Sequence, residues 1–478
     1  MAIENIPLWL FAQGRRSPTF LFTSAFLLIK TMNMKRDISL HIPPQMWHQF
    51  RHAMLEARTN NEEVIGFFFC KRHQVSKYQV RYLPKFWVVP SPDCYEYQSL
   101  TGLVLKQAFH LYLLETYLKK EKLDVVHIHT HPVQESPNFS SIDDRYESEY
   151  SQFLGKNFQK KTHLISGVFD HSLQDGMFRL WDKKGKSPQS IQFYNSWFAL
   201  PQNEMVLEHD NLMFSRQAIF GDMVQENLGE LKVALIGCGG IGAIFAELLG
   251  RLGVKNWLLI DRDRVETVNL NRMPGATEKM VTEQWYKVDY VKSLIKNIYP
   301  KGCNVQRKVT NIEDESIKKE IAKADLIVVA TDNHYSRQVA QELALEYTRP
   351  LVCLGTHIEM KSDHKPRMYA RVTVPPLGGD WCLMCGNIIN LQRAAMELAP
   401  QEIHRMASEA GYLPGIQNPA VFWLNSLCAS TAVGVIHGIL SGFLEVDGGL
   451  DWIFDFASSQ WLKTNPEHLV TPDCYFCA

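Results

Sequence analysis

The spacing of apolar positions predicts alternating strands and helices along most of the chain. Residues 103–119 place Leu105, Phe109, Leu113 and Tyr117 on one helical face, whereas the shorter apolar runs have the length of strands. The other elements predicted in the first half are a helix at 43–57 and strands at 38–42, 63–70, 125–132, 162–170 and 176–181. This order predicts an α/β domain.

The second half is organised around residues 231–272. An apolar strand leads into a glycine-rich turn, a helical pattern follows to about Leu252, and a second apolar strand ends on Asp261. The glycines of the turn are Gly237, Gly239, Gly240 and Gly242. This pattern is typical of nucleotide-binding βαβ units, in which glycines let phosphates approach a helix N-terminus and the acid takes ribose hydroxyls. We therefore predict a Rossmann-like, doubly wound α/β domain.

Further elements extend this second domain. They are a helix near Glu208 that contains Arg216, a helix at 287–300, strands at 326–333 and 351–354, and a helix at about 419–443. We place the domains at 35–195 and 196–478, with the Lys/Gly/Pro-rich segment 182–189 as an edge loop or linker. Residues 1–34 hold a short apolar run behind Arg15 and Arg16, which lacks a small-residue cleavage site, so we expect an N-terminal extension.

Composition narrows the class of protein. The 478 residues carry 50 basic and 51 acidic side chains, and this balance gives no global basic field for nucleic acid. No run after the N-terminal extension has the pattern of a membrane span. Four of the ten cysteines form two CxxC pairs, which indicates metal binding in a reducing compartment, so a cytoplasmic protein is expected.

The strand at 125–132 ends in a motif that could hold zinc. His129 and His131 stand at i and i+2 on a strand and therefore point the same way. With Asp143 they would supply three ligands and leave a fourth position to water, whose pKa zinc lowers towards about 7. Glu63 could then take the proton of this water, and Ser140 could hydrogen-bond the tetrahedral oxyanion.

These five residues resemble the pattern of the JAMM (JAB/MPN) metalloprotease family, namely a glutamate before a strand, then HxHP, then SxxD. The resemblance implies an (iso)peptidase with a catalytic zinc ion. The interval from His131 to Asp143 is one residue longer than is usual in the family, and Asp144 lies beside Asp143; we choose Asp143 because it preserves SxxD. His127 is the main rival ligand and is interpreted as a core residue or a residue behind the ligands. The alternative is that all of these are ordinary polar residues at strand ends and turns.

The second half resembles the ubiquitin-activating-enzyme superfamily, and most closely its bacterial ThiF-type adenylyltransferases. The matching pieces are RQ at Arg216, GxGGxG, DxDxVExxNLNR from Asp261 to Arg272, Lys287, ATDN and the paired CxxC motifs. The resemblance implies that Asp261 binds ribose, that Asn269, Arg272 and Lys287 hold the triphosphate of ATP, and that Asp332 positions Mg²⁺ and the attacking carboxylate. It also implies that Arg216 reaches a neighbouring subunit in a homodimer. The alternative, an NAD site, requires neither the NLNR run nor the CxxC pairs.

The cysteines fall into two groups. Cys382, Cys385, Cys474 and Cys477 are predicted to form a closed, structural zinc site. Cys428 and Cys353 are the candidates for a thioester-forming thiol, but both lie in apolar elements, so we expect buried thiols and no obligatory thioester.

Together these patterns predict a bifunctional enzyme of a bacterial ubiquitin-like system. One head would process or remove a ubiquitin-like protein ending in Gly-Gly, and the other would adenylate its C-terminal glycine. Such a system serves either protein conjugation, often in phage defence, with a conjugating enzyme as partner, or sulfur transfer with a sulfur donor. The alternative from another functional class is an interaction scaffold, in which one or both heads are inactive and only bind the ubiquitin-like protein.

Overall fold

The computed structural model describes residues 37–58, 62–132, 137–158, 162–200, 212–360, 365–399, 419–464, 470 and 474–477. The predicted N-terminal extension 1–34 and the start of the helix predicted near Glu208 lie outside these residues. The described part contains two α/β regions, each with its own sheet.

The first region is built on a closed barrel with the strand order β1-β3-β2-β6-β7-β8-β9, and a separate β4–β5 hairpin. Its strands are β1 Asp37–His41, β2 Ile65–Gln74, β3 Gln79–Val88, β4 Tyr95–Ser99, β5 Gly102–Leu105, β6 Asp124–Thr130, β7 Leu164–Phe169, β8 Gly176–Leu180 and β9 Gln189–Tyr194. Its helices are α1 Pro44–Glu56, α2 Gln107–Leu113, which continues as a π-helix over Leu114–Lys120, and α3 Ser141–Asn157.

The side chains of strand β2 are buried on both faces of the barrel wall. Successive side chains of a strand point to opposite faces. Phe68 therefore enters the barrel interior, where its ring lies 4.3 Å from that of Phe50 on α1. Phe69 points outward, and its ring lies 4.1 Å from that of Tyr117 on the π-helix. Burial on both faces produces the continuous apolar run seen in the sequence.

Three features of the first region differ from the sequence-based expectation. The helix predicted from residue 103 begins at Gln107, because residues 102–105 pair with β4 instead. Strand β3 was not predicted. Strand β9 follows the segment 182–189 and pairs with both β8 and β1, which closes the barrel. The closing partners are far apart in sequence, so no local pattern indicates them.

The second region has an eight-stranded sheet with the order β12-β11-β10-β13-β14-β15-β16-β17. Its strands are β10 Lys232–Ile236, β11 Asn256–Ile260, β12 Asn304–Lys308, β13 Leu326–Val329, β14 Leu351–Met360, β15 Pro366–Val374, β16 Leu450–Asp455 and β17 Gln460–Lys463. Its helices are α4 Asp222–Glu230, α5 Gly240–Leu252, α6 Glu278–Thr282, α7 Lys287–Ile298, α8 Glu315–Ile321, α9 His334–Tyr347, α10 Leu391–Glu397 and α11 Phe422–Ser441, after a 3₁₀ helix over Leu212–Phe220.

The parallel strands of this sheet form a switch point at which a ligand can bind. Strands β12, β11, β10, β13 and β14 are parallel, and the chain leaves β10 in one direction along the sheet and returns to β13 on its other side. In open α/β sheets, ligands bind outside the carboxyl ends of the strands at such a switch point. The glycine turn follows β10 and the ATDN motif follows β13, so both lie there. The Rossmann-like prediction is confirmed.

Helix α11 is long and apolar enough to cross a membrane by length and composition, and 44% of its most apolar window is buried inside the protein. Leu424, Ala429, Ala432 and Ile436 are fully buried and belong to the same core as β10 and α5. This packing explains the apolar composition of the helix, because a core helix and a membrane span pass the same test of composition.

The two regions also touch each other. Trp197 and Phe198 follow β9 and are buried in the core of the second region. Arg81 of β3 lies 3.4 Å from Asp325, which immediately precedes β13, and both side chains are largely buried. Lys85 of β3 donates a hydrogen bond to the carbonyl of Leu345 at the end of α9.

Candidate active sites

The first candidate site lies where β6 ends. His129 Nε2 is 3.2 Å from His131 Nε2 and 3.2 Å from Asp143 Oδ1, and His131 Nε2 is 3.5 Å from Asp143 Oδ2. Ligand bonds of about 2.0–2.1 Å in a tetrahedral arrangement separate donor atoms by about 3.3 Å. The three side chains could therefore hold a zinc ion, with one or both oxygens of Asp143 as ligand atoms. Burial acts to lower the pKa of His129, but the Asp143 carboxylate outweighs burial and raises this pKa.

The rival ligands named from the sequence face other partners. Asp144 Oδ1 accepts a hydrogen bond of 2.6 Å from Arg179, and His127 Nε2 lies 3.5 Å from Glu147. Of the described residues near this position, the group of metal-type donors within reach of one ion is His129, His131 and Asp143. The geometry favours Asp143 over Asp144, as SxxD suggested.

Glu63 lies beside this group, in the extended segment before β2. Its backbone is held by the β4–β5 hairpin, since its N–H donates to the carbonyl of Ser99 and its carbonyl accepts from Gln98 Nε2. The residue is only 9% exposed. Burial raises the pKa of Glu63 to about 7, and the positive charge of His129 opposes this rise. A carboxyl group with this pKa is suited to take up and release a proton near neutral pH.

Ser140 has a structural role that the sequence did not indicate. Its hydroxyl accepts a hydrogen bond from Asp143 N–H at 3.2 Å, and Asp143 Oδ2 accepts from Ser140 N–H at 2.6 Å. This reciprocal capping box begins α3 and fixes Asp143 in its first turn. Because the hydroxyl acts as an acceptor here, its proton is available for the predicted bond to an oxyanion.

A buried ion-pair cluster holds α3 behind the site, and sequence reasoning missed it. Arg179 of β8 donates to Glu147 at 2.9 and 2.7 Å and to Asp144, and it stacks 3.6 Å from the ring of Phe139. Trp181 Nε1 also donates to Glu147, at 2.7 Å. Burial opposes ionisation of Glu147, but His127 and Arg179 outweigh burial and lower its pKa to about 2. We call these residues the Arg179 cluster.

The second candidate site is the glycine turn after β10. Gly237 has a φ of +93°, which favours glycine, and a β-carbon on Gly242 would lie only 2.0 Å from the carbonyl oxygen of Gly237. Gly239 precedes α5, so the free N–H groups of the first helical turn face the open end of the sheet. Such a helix N-terminus binds phosphate groups.

Asp261 closes one side of this turn at the end of β11. Its Oδ2 accepts a hydrogen bond of 2.7 Å from Cys238 N–H, and its Oδ1 accepts one of 2.8 Å from Asp263 N–H. Burial raises the pKa of Asp261, and Lys287 opposes this rise. Each oxygen keeps a lone pair with which it can accept from a ribose hydroxyl.

The predicted phosphate ligands lie around the same turn. The side chain of Arg272 covers Gly240, since its Cγ would lie 3.2 Å from a β-carbon placed there. Lys287 Nζ pairs with Asp263 at 2.8 Å. Asn269 is buried and its Oδ1 accepts from Glu266 N–H at 3.1 Å, so its contact in this structure is within its own loop. Asp332 is exposed and lies just before Asn333, the N-cap of α9.

Arg216 is exposed on the 3₁₀ helix that precedes α4. The neighbouring Gln217 anchors this helix by donating to the carbonyl of Leu252 at 2.7 Å. The contact of Arg216 with a second subunit therefore stays a prediction.

The four cysteines of the CxxC pairs come together at the end of the chain. Their sulfur atoms lie 3.6 to 3.8 Å apart in the pairs that are in contact. Zn–S bonds of about 2.3 Å in a tetrahedron give a sulfur separation of about 3.8 Å, so the residues fit a closed zinc site. Gln341 of α9 and Arg371 of β15 hold the first pair by hydrogen bonds to Leu383 N–H and to the carbonyl of Gly386.

Neither candidate thioester cysteine has the surroundings of a nucleophile. Cys428 is fully buried on α11, where its thiol contacts the carbonyls of Gly355 and Arg371. Burial raises the pKa of Cys428 to about 12 and also raises the pKa of Cys353. The expectation that both thiols are buried is confirmed.

The comparison with known protein families concerns the region that contains the second candidate site, the glycine turn after β10. Residues 214–447 match the ThiF family, and this match supports an E1-like adenylyltransferase domain in this part of the chain. The match does not extend to the barrel region, so it says nothing about the first candidate site.

Individual relatives carry related names. The "Sulfur carrier protein ThiS adenylyltransferase" of Bacillus subtilis (strain 168) is 29% identical over 184 residues, which are 37% of this chain and 54% of the relative. The protein of the same name from Escherichia coli (strain K12) is 27% identical over 259 residues, 53% of this chain and 90% of the relative. The chain thus spans about half the length of the first relative. A crystal structure of E. coli MccB with MccA-N7isoASN has a TM-score of 0.45 and 18% identity, over 56% of this chain and 74% of that one.

Proposed function

We propose that the second domain adenylates the C-terminal carboxylate of a ubiquitin-like or sulfur carrier protein with Mg·ATP. The observation that carries this proposal is the convergence of Arg272 and Asp261 on one glycine turn at the switch point of the sheet. In the reaction a carboxylate oxygen attacks the α-phosphorus and pyrophosphate leaves. Both reactants are anionic, so Arg272, Lys287 and the N–H groups of the turn would offset their repulsion. Asp332 would hold Mg²⁺, which offsets the charge of the phosphates.

ATP–pyrophosphate exchange with a Gly-Gly-ending protein tests this function. Asp332→Ala and Arg272→Ala should each abolish exchange, whereas Arg262→Ala, in the same loop and largely exposed, should leave it intact. Full exchange by either of the first two variants would refute the assignment. Arg216→Ala should lower exchange, and mixing it with Arg272→Ala should recover part of the activity if the enzyme is a homodimer with Arg216 in the partner's site.

We further propose that the first domain is a JAMM-type zinc (iso)peptidase that acts on the same protein. The observation that supports it is the triangle of His129, His131 and Asp143 donor atoms at zinc-compatible distances, with Glu63 beside it. Zinc bound there would supply a water of lowered pKa. Glu63 would take a proton from the attacking water and pass it to the leaving amine, and Ser140 would donate to the oxyanion.

The two activities are complementary, because adenylation requires a free terminal carboxylate and peptidase cleavage after Gly-Gly produces one. A precursor with extra residues after Gly-Gly should be adenylated by the wild type and not by Glu63→Ala. The precursor already truncated to Gly-Gly should be adenylated by both. Normal activation of the extended precursor by Glu63→Ala would mean that the peptidase instead removes the modifier from targets.

Two candidate pathways remain for the activated protein, namely sulfur transfer and protein conjugation. The names of the relatives favour activation of a sulfur carrier with a sulfur donor as partner, whereas the added peptidase favours a conjugation system with a conjugating enzyme. We place either system in the reducing cytoplasm, because a four-cysteine zinc site requires thiolates. Mass spectrometry of the modifier's C-terminus after reaction separates them, since a thiocarboxylate indicates sulfur transfer and an amide to another protein indicates conjugation.

A further inference from the structure

A residue far from the nucleotide motifs lies on the glycine turn. Asn425 belongs to α11, is 2% exposed, and directs its side chain towards the first residue of α5. A β-carbon placed on Gly240 would lie 2.7 Å from Asn425 Nδ2 and 3.2 Å from Arg272 Cγ. The amide of Asn425 and the side chain of Arg272 therefore cover the same point of the turn.

The orientation of this amide is set by a second residue. The hydroxyl of Thr356 on β14 donates a hydrogen bond of 3.1 Å to Asn425 Oδ1. The acceptor end of the amide is thereby engaged, and the NH₂ group is the end that faces Gly240. An amide nitrogen carries two donor hydrogens, so this end of Asn425 can donate to an acceptor that lies over the turn.

We propose that Asn425 donates a hydrogen bond to a phosphate oxygen of the nucleotide bound over the glycine turn, with Thr356 as the positioning residue. This inference rests on the adenylation function proposed above. A phosphate oxygen is the fitting acceptor because the free N–H groups of the first turn of α5 lie at the same place and favour an anion. The aliphatic part of Arg272, a predicted phosphate ligand, lies against the same glycine. A neutral amide adds a directed donor there without adding another positive charge.

The proposal predicts a graded loss of nucleotide affinity, measured by calorimetry with ATP and with adenosine in the absence of any modifier protein. Asn425→Ala should weaken ATP about 10-fold or more, the usual effect of a lost hydrogen bond to a charged group. Asn425→Asp should weaken ATP further, because a carboxylate repels phosphate. Thr356→Val, which keeps the shape of the side chain, should weaken ATP by a smaller factor. Adenosine affinity should not change in any variant.

The matched control is Ser426→Ala, the next residue of α11, whose partly exposed hydroxyl donates to the carbonyl of Phe422. Circular dichroism checks that each variant folds. If Asn425→Ala does not fold, Thr356→Val still tests the proposal. Wild-type ATP affinity in folded Asn425→Ala or in Asn425→Asp overturns the inference. An unchanged ATP affinity with a raised KM for the modifier in exchange would assign Asn425 to the substrate carboxylate and also overturn it. Absence of ATP binding by the wild type would instead overturn the proposed function.

Discussion

Replacing Glu147 by Gln tests whether the Arg179 cluster holds the zinc ligand Asp143 in place. The substitution keeps the shape of the side chain and removes the charge that faces Arg179, His127 and Trp181. The pKa of Glu147 falls from an ordinary 4.5 to about 2 in the folded protein, which corresponds to about 3 kcal/mol at 1.36 kcal/mol per pKa unit. Removing one partner of a buried ion pair costs a similar amount, about 3–5 kcal/mol.

The pH dependence follows from the direction of this change. A carboxyl group whose pKa is lowered by folding stabilises the protein above its unfolded pKa, and this contribution disappears as the pH falls through the folded pKa. The difference between wild type and Glu147→Gln should therefore be complete above pH 4.5 and shrink as the pH falls towards about 2.

Hydrogen exchange followed by mass spectrometry measures the effect locally. At neutral pH, peptides from α3 and β8 should exchange about 100-fold faster in Glu147→Gln, as expected for a loss of about 3 kcal/mol. Zinc should also dissociate more readily from the first domain in a competition with a chelator. Glu149→Gln is the control, because Glu149 is exposed on the same helix. Wild-type exchange in α3 of Glu147→Gln would refute the reasoning.

Three other predictions concern the second domain. Gly242→Ala should abolish ATP binding, because its β-carbon would lie 2.0 Å from the carbonyl oxygen of Gly237, whereas Gly434→Ala meets open space and should bind ATP normally; calorimetry compares the two. Cys428→Ala should exchange pyrophosphate like the wild type, since the thiol is buried with a pKa of about 12, and a DTT-sensitive modifier adduct lost in this variant would contradict this. Cys474→Ser should lower the zinc content by one ion per chain, and unchanged zinc by elemental analysis would contradict the four-cysteine site.

Many residues of both candidate sites could be predicted from the sequence, because their chemistry depends on residues that lie close together along the chain. His129 and His131 face one way because a strand repeats every two residues, and the glycines of the turn lie within one βαβ unit. The CxxC pairs likewise bring two sulfur atoms together through local backbone geometry. These relations hold before any distant part of the chain is placed.

Tertiary structure decided what distant segments contribute. Asp143 rather than Asp144 faces the histidines. Arg179 of strand β8 binds Asp144, and the capping box with Ser140 holds Asp143. The barrel closes through β9 and β1, which no local pattern pairs. Asn425 looked like part of an apolar helix, and only the packing of α11 against α5 brings it onto Gly240. Sequence patterns encode the period of a single element, whereas contacts between elements depend on how whole faces pack, and for that reason only the folded chain reveals them.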